Sequence, residues 1–95
     1  MTPAPFSPRA QDEYDEAYLF FLEVGKADAF ADAVAAARAR IADDPTALPL
    51  QPGNDRVRRC RVSRFRYDLL FVTRPAGPLV VAVWHLHRDP ADRPG

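Results

Sequence analysis

The spacing of apolar residues changes once along this chain, near residue 55, and that change constrains the fold more than any other feature. Upstream, Ala10, Tyr14, Ala17, Tyr18, Phe21 and Leu22 follow at steps of 4, 3, 1, 3 and 1, which lines one face of a helix. Phe30, Val34, Ala37 and Ile41 recur at steps of 4, 3 and 4, with Ala33 beside them, which lines a second. Downstream the period shortens to two: Cys60 and Val62 point one way, Arg59 and Arg61 the other. Two amphipathic helices followed by short strands predict an α+β domain.

Local signals set the boundaries. Ser7-Pro8 reads as an N-cap followed by proline at the first helical position. Asp12, Glu13, Asp15 and Glu16 lie in the early turns, where the helix dipole favours acids. Gly25 stops this helix near Val24. The second starts near Ala27 and ends at Asp43-Asp44-Pro45, because the residue before proline avoids the helical region. So short a link predicts an antiparallel hairpin of residues 8–24 and 27–42. Residues 44–55, with Pro45, Pro49, Pro52 and Gly53, read as a surface loop.

Strands are predicted at about 56–62, 67–73 and 79–86, antiparallel because their connections are short. Pro3 and Pro5 limit residues 1–6 to a short edge strand, the possible fourth member of the sheet. The second and third strands are apolar on both faces, which predicts central, covered positions. The helix hairpin covers one face. The other is expected to need a partner segment or a second copy.

At 95 residues the chain has room for one domain, spanning 1–95. The 47% hydrophobic content and ten aromatic residues exclude a disordered chain. The longest apolar run, Leu79 to Trp84, is far shorter than the roughly 20 residues of a membrane helix. The start, Met-Thr-Pro-Ala-Pro-Phe, has no basic segment and no apolar signal core. The lone Cys60 excludes an internal disulfide and falls on the buried side of its strand. The expectation is a soluble cytoplasmic protein.

The formal net charge is zero, yet it is unevenly spread. Residues 1–50 carry nine acids against four bases, a net of −5, and residues 51–95 carry nine arginines against four acids, a net of +5. Arg56, Arg58, Arg59, Arg61, Arg64 and Arg66 fall within eleven residues. This cluster suits an RNA or acidic-peptide surface. It equally suits a solvated face that keeps an edge strand from pairing with copies of itself.

The other chemistry-bearing stretch is Trp84-His85-Leu86-His87-Arg88-Asp89-Pro90. His85 and His87 share a face if the strand runs that far. They could act as general acid and base, with Arg88 as a phosphate clamp. Only Asp89 is near as a third ligand, so no metal site is expected. No phosphate-cradling glycine motif is present, and no cofactor is expected. Tyr14, Tyr18, Phe21 and Phe30 lie at core spacing and are read as core.

Phe6 to Ala10, Asp43 to Pro45, Val57 to Val62, Phe65 to Phe71 and Val83 to Pro90, in that order, resemble the RelE/ParE toxin superfamily of type II toxin–antitoxin systems, over about residues 6–90. Phe6-Ser7-Pro8-Arg9-Ala10 opens an acidic helix and Asp43-Asp44-Pro45 closes the second. Val57-Arg58-Arg59-Cys60-Arg61-Val62 is followed by Phe65-Arg66-Tyr67-Asp68-Leu69-Leu70-Phe71. Val83-Trp84-His85-Leu86-His87-Arg88-Asp89-Pro90 is similar to the family's closing strand and its His-Gly-Arg-Arg-Asp type of ending.

The resemblance implies a small α+β fold, a cognate antitoxin, a toxin–antitoxin hetero-oligomer and growth inhibition. Inhibition would come by one of two routes: ParE-like poisoning of DNA gyrase, or RelE-like cleavage of messenger RNA on the ribosome. In the nucleases a basic residue stands in the second strand, in a Tyr-Arg-Leu sequence. Here the stretch is Tyr67-Asp68-Leu69. Asp68 therefore favours a ParE-like binding protein over an enzyme. Antitoxin or target binding is assigned to the six arginines of 56–66. The alternative nuclease would use Arg66, His85, His87 and Arg88, and a third alternative is a non-toxic member that only binds antitoxin.

Overall fold

The computed structural model of the chain describes residues 2–87. Two helices, α1 (Pro8–Glu23) and α2 (Ala27–Asp43), precede a one-turn 3-10 helix (Pro45–Ala47) and three strands. These are β1 (Arg58–Val62), β2 (Tyr67–Val72) and β3 (Leu79–His85), antiparallel in the order β1-β2-β3. The expected α+β architecture holds, with boundaries within about two residues of those read from the sequence.

Side-chain chemistry explains each boundary. The Ser7 hydroxyl accepts the Ala10 N–H at 3.1 Å, and Pro8 starts α1 without an N–H to satisfy. Gly25 takes φ +74°, which lets its own N–H reach the Leu22 carbonyl and the Lys26 N–H reach Phe21. That pair of bonds closes the last turn of α1 and reverses the chain into α2. Pro45 ends α2 and starts the 3-10 turn, so the segment expected to be loop holds a short helix.

The helix hairpin packs on one face of the sheet. Phe30, Val34, Ala37 and Ile41 are all buried, as their spacing predicts, and meet Cys60, Val62, Leu69, Phe71, Val80 and Val83. Phe30 is the hub, with ring centroids of Tyr14, Phe21, Phe65 and Tyr67 at 4.6–5.7 Å. Tyr14 and Phe21 pack against this core, but Leu22, expected on the same stripe, is exposed on the far side of α1.

Two expectations about the strands need correcting. First, β3 lies at the edge of the sheet and not in its centre. The prolines at 3 and 5 do not prevent a brief parallel pairing along its first half. Val80 donates to Pro5 C=O and Ser7 donates to Val80 C=O, both at 2.8 Å. A bulge follows, since Leu70 opposes Ala82 whereas Phe71 opposes Val80. Second, the face away from the helices is not left bare. Val57, at the end of the 48–57 segment, closes with Leu70, Ala82 and Trp84 into a second apolar cluster, each at most 4% exposed. Apolar surface is exposed instead on α1, at Leu19, Phe20, Leu22 and Val24.

Candidate functional site

Three members of the arginine cluster form hydrogen bonds or an ion pair within the fold. Arg58 reaches back to the carbonyls of Leu48 (2.6 Å) and Thr46 (3.3 Å) and pins the segment after α2 to β1. Arg61 pairs with Asp68 directly opposite on β2, Nε to Oδ1 at 2.6 Å. Arg66 lies in the turn before β2, with a guanidinium nitrogen 3.2 Å from His87 Nε2. Arg56 and Arg64 are exposed outside the strands; Arg64 has φ +71°. Arg59 lines a shallow cleft of about 270 Å³ with Arg61 and Arg40.

Arg40 escapes the sequence reading because it sits in the acidic half of the chain. It reaches β1 because the last turns of α2 pack on that strand, where Cys60 Sγ lies 3.7 Å from the Ala37 carbonyl. Burial pushes the Cys60 thiol above its ordinary value, which keeps it protonated and inert.

Among the described residues Asp68 is the buried charged side chain, 3% exposed, on the face away from the helices and between Arg61 and Trp84 in register. Its carboxylate can be retained there because Arg61 supplies a charge-assisted hydrogen bond, and more than half of the Arg61 side chain stays exposed.

A second group gathers where β2 begins and β3 ends. β3 stops at His85, so His85 and His87 do not share a strand face as expected. The turn nevertheless keeps them adjacent: the rings are 5.2 Å apart and the His87 N–H donates to His85 Nδ1. Tyr67 stacks edge-on against His85 at 4.9 Å. Burial, and then the charges of His87 and Arg66, hold His85 below its usual value, so it is neutral at pH 7. Burial, with Glu16 nearby, raises the Tyr67 phenol. Arg88 and Asp89 lie outside the described residues.

Beside this group, α1 and β3 enclose a cleft of about 570 Å³ that the sequence reading does not anticipate. Glu16, Ala17 and Phe20 form one wall, Val83, His85 and Tyr67 the other. Glu13 bridges the two elements, its carboxylate accepting the Val83 N–H at 3.0 Å. The signal in the sequence is the i, i+3, i+4, i+7 spacing of Glu13, Glu16, Ala17 and Phe20, which places them on one side of a helix.

Among the described residues no three His, Cys, Asp or Glu side chains gather as a metal site, and no helix is long and apolar enough to cross a membrane. No family model matches the chain, and no curated protein matches its sequence significantly. The fold and site thus define a small α+β protein with a basic strand edge, a histidine–arginine corner and an acidic cleft.

Proposed function

We propose that the chain is the toxin of a type II toxin–antitoxin module, a ParE-like inhibitor of DNA gyrase neutralised by a cognate antitoxin. The reading rests on the resemblance of residues 6–90 to RelE/ParE toxins. The state of Asp68 carries the choice of target. At the strand position where the resembling nucleases hold a base, this chain holds a buried carboxylate tied to Arg61. A carboxylate there opposes the negative charge that builds on a phosphorus in strand scission, whereas a cation stabilises it. Arg61 cannot stand in for that cation without stranding Asp68. The exposed Arg56 and Arg64, with Arg59, remain to meet an acidic antitoxin segment or the target.

The corner formed by Arg66, His85 and His87 favours a second reading, a RelE-like ribosome-dependent endoribonuclease. A neutral His85 can accept a proton from a 2′-hydroxyl, and Arg66 can hold the phosphate.

Two assays on the purified chain separate the readings. Loss of gyrase supercoiling with intact ribosome-bound messenger RNA is the expected result. Cleavage of messenger RNA in the ribosomal A site, abolished by Arg66→Ala or His85→Ala, would replace it with the nuclease. Neither activity, with co-purification of a neighbouring gene product, would leave only antitoxin binding.

A further inference from the structure

The cleft between α1 and β3 opens beside a length of unpaired strand edge. Leu86 N–H bonds the Arg66 carbonyl, which makes Asp68–Trp84 and Leu70–Ala82 the hydrogen-bonded pairs of the β2–β3 ladder. Val83 and His85 therefore turn their backbone groups outward. The Val83 N–H is taken by Glu13. The Val83 carbonyl and the His85 N–H and carbonyl have no partner among the described residues, because the Pro5–Ser7 pairing ends at Val80. An edge of this kind is a template for another strand.

We propose that an extended, arginine-bearing segment of a partner protein adds to β3 at Val83–His85 and places its arginine in the α1–β3 cleft beside Glu16. Glu16 is exposed and has no ion-pair partner among the described residues, whereas Glu13 already engages Arg9. Phe20 and Tyr67 line the same cleft, and aromatic faces attract a guanidinium. Asp12 and Glu23, also exposed on α1, add negative charge that favours a basic occupant. Phe20 and Val24, more than half exposed and four residues apart, offer apolar contact to the next inward-facing side chain. Backbone pairing supplies affinity and the alternate side-chain pockets supply specificity, as in strand-addition complexes. A free guanidinium compound could use the cleft but not the edge, so the occupant is a polypeptide. This site does not depend on the toxin reading, which uses Arg56, Arg59 and Arg64.

The test uses the full chain and a terminally blocked, fluorescent Thr-Val-Thr-Arg-Thr-Val peptide, read by anisotropy. The peptide is expected to bind, with the His85 amide resonance shifting on titration. Glutamate in place of its arginine, or Glu16→Arg in the protein, weakens binding about tenfold or more. Glu16→Gln weakens it about fivefold, the scale of an exposed ion pair. Methylating alternate peptide nitrogens removes binding while leaving the protein untouched. No binding at about 1 mM peptide, where only about 4 kcal/mol is needed, overturns the proposal. So does equal binding of the arginine and glutamate peptides, or of the methylated peptide. Agmatine binding as tightly as the peptide would assign the cleft to a small cation and overturn the strand. Glu16 and Phe20 are exposed, so Phe20→Ala serves as a second variant that folds, and its loss of affinity is expected as well.

Discussion

The helix-covered face of the sheet is dry and aromatic, whereas the opposite face keeps a charged pair beside its apolar cluster. On the first, Phe30 touches four other rings, and the buried residues around it are apolar apart from the Cys60 thiol, which burial keeps protonated. On the second, Asp68 is as buried as its apolar neighbours but depends on one exposed arginine. Apolar packing is non-directional, so its loss is spread over many contacts. A buried carboxylate depends on a single partner, and losing that partner is costly out of proportion to the contact. The two faces should therefore respond differently to substitution.

The largest effect is expected on the dry face. Phe30→Ala should lower unfolding free energy by about 3–5 kcal/mol, the range for emptying a buried aromatic position, measured by urea denaturation. A loss below about 1 kcal/mol would mean that the helices do not depend on this ring for their seat.

The charged face should show an asymmetry. Arg61→Ala leaves a 3%-exposed carboxylate without its counter-charge and should cost about 3 kcal/mol. Asp68→Leu removes the buried charge, and Arg61, 58% exposed, simply extends into water; the cost should be about 1 kcal/mol or less. The double variant should resemble Asp68→Leu. Equal losses in the two single variants would show that Asp68 reaches water without Arg61.

Smaller effects are expected at the frame that holds the dry face in place. Ser7→Ala removes the cap of α1, and Gly25→Ala forces a side chain into φ +74°; each should cost about 1 kcal/mol. The smallest effect is the proton linkage of His85. Its folded pKa lies below the ordinary 6.5, so on acidification the unfolded chain takes up the proton first. The stability it contributes is complete above about pH 6.5 and is lost as the pH falls through the folded value. An imidazole titration by NMR should place His85 below a free histidine. His87→Ala should move it upward, since His87 lowers it.

The dry face was legible because it is made of repeats. Phe30, Val34, Ala37 and Ile41 announce a helix stripe, and Cys60 and Val62 the strand face it meets. The opposite face was not legible. Val57 closes over Leu70 and Trp84 only because the 48–57 segment folds back, and no spacing encodes that return. The arginine cluster was visible as composition, yet sorting Arg58, Arg61 and Arg66 into separate roles required knowing what each one faces.

The helices, the strands, their succession along the chain and the cap at Ser7 follow from periodicity and local backbone chemistry within a few residues, so they can be read from the residues alone. The packing of the elements sets the rest: β3 is an edge, Asp68 pairs with Arg61, Arg40 joins Arg59, and Glu16 meets Tyr67 and His85 across a cleft. Each of these joins residues from different elements. Their proximity follows from how helix and sheet pack, a long-range property that no local pattern carries.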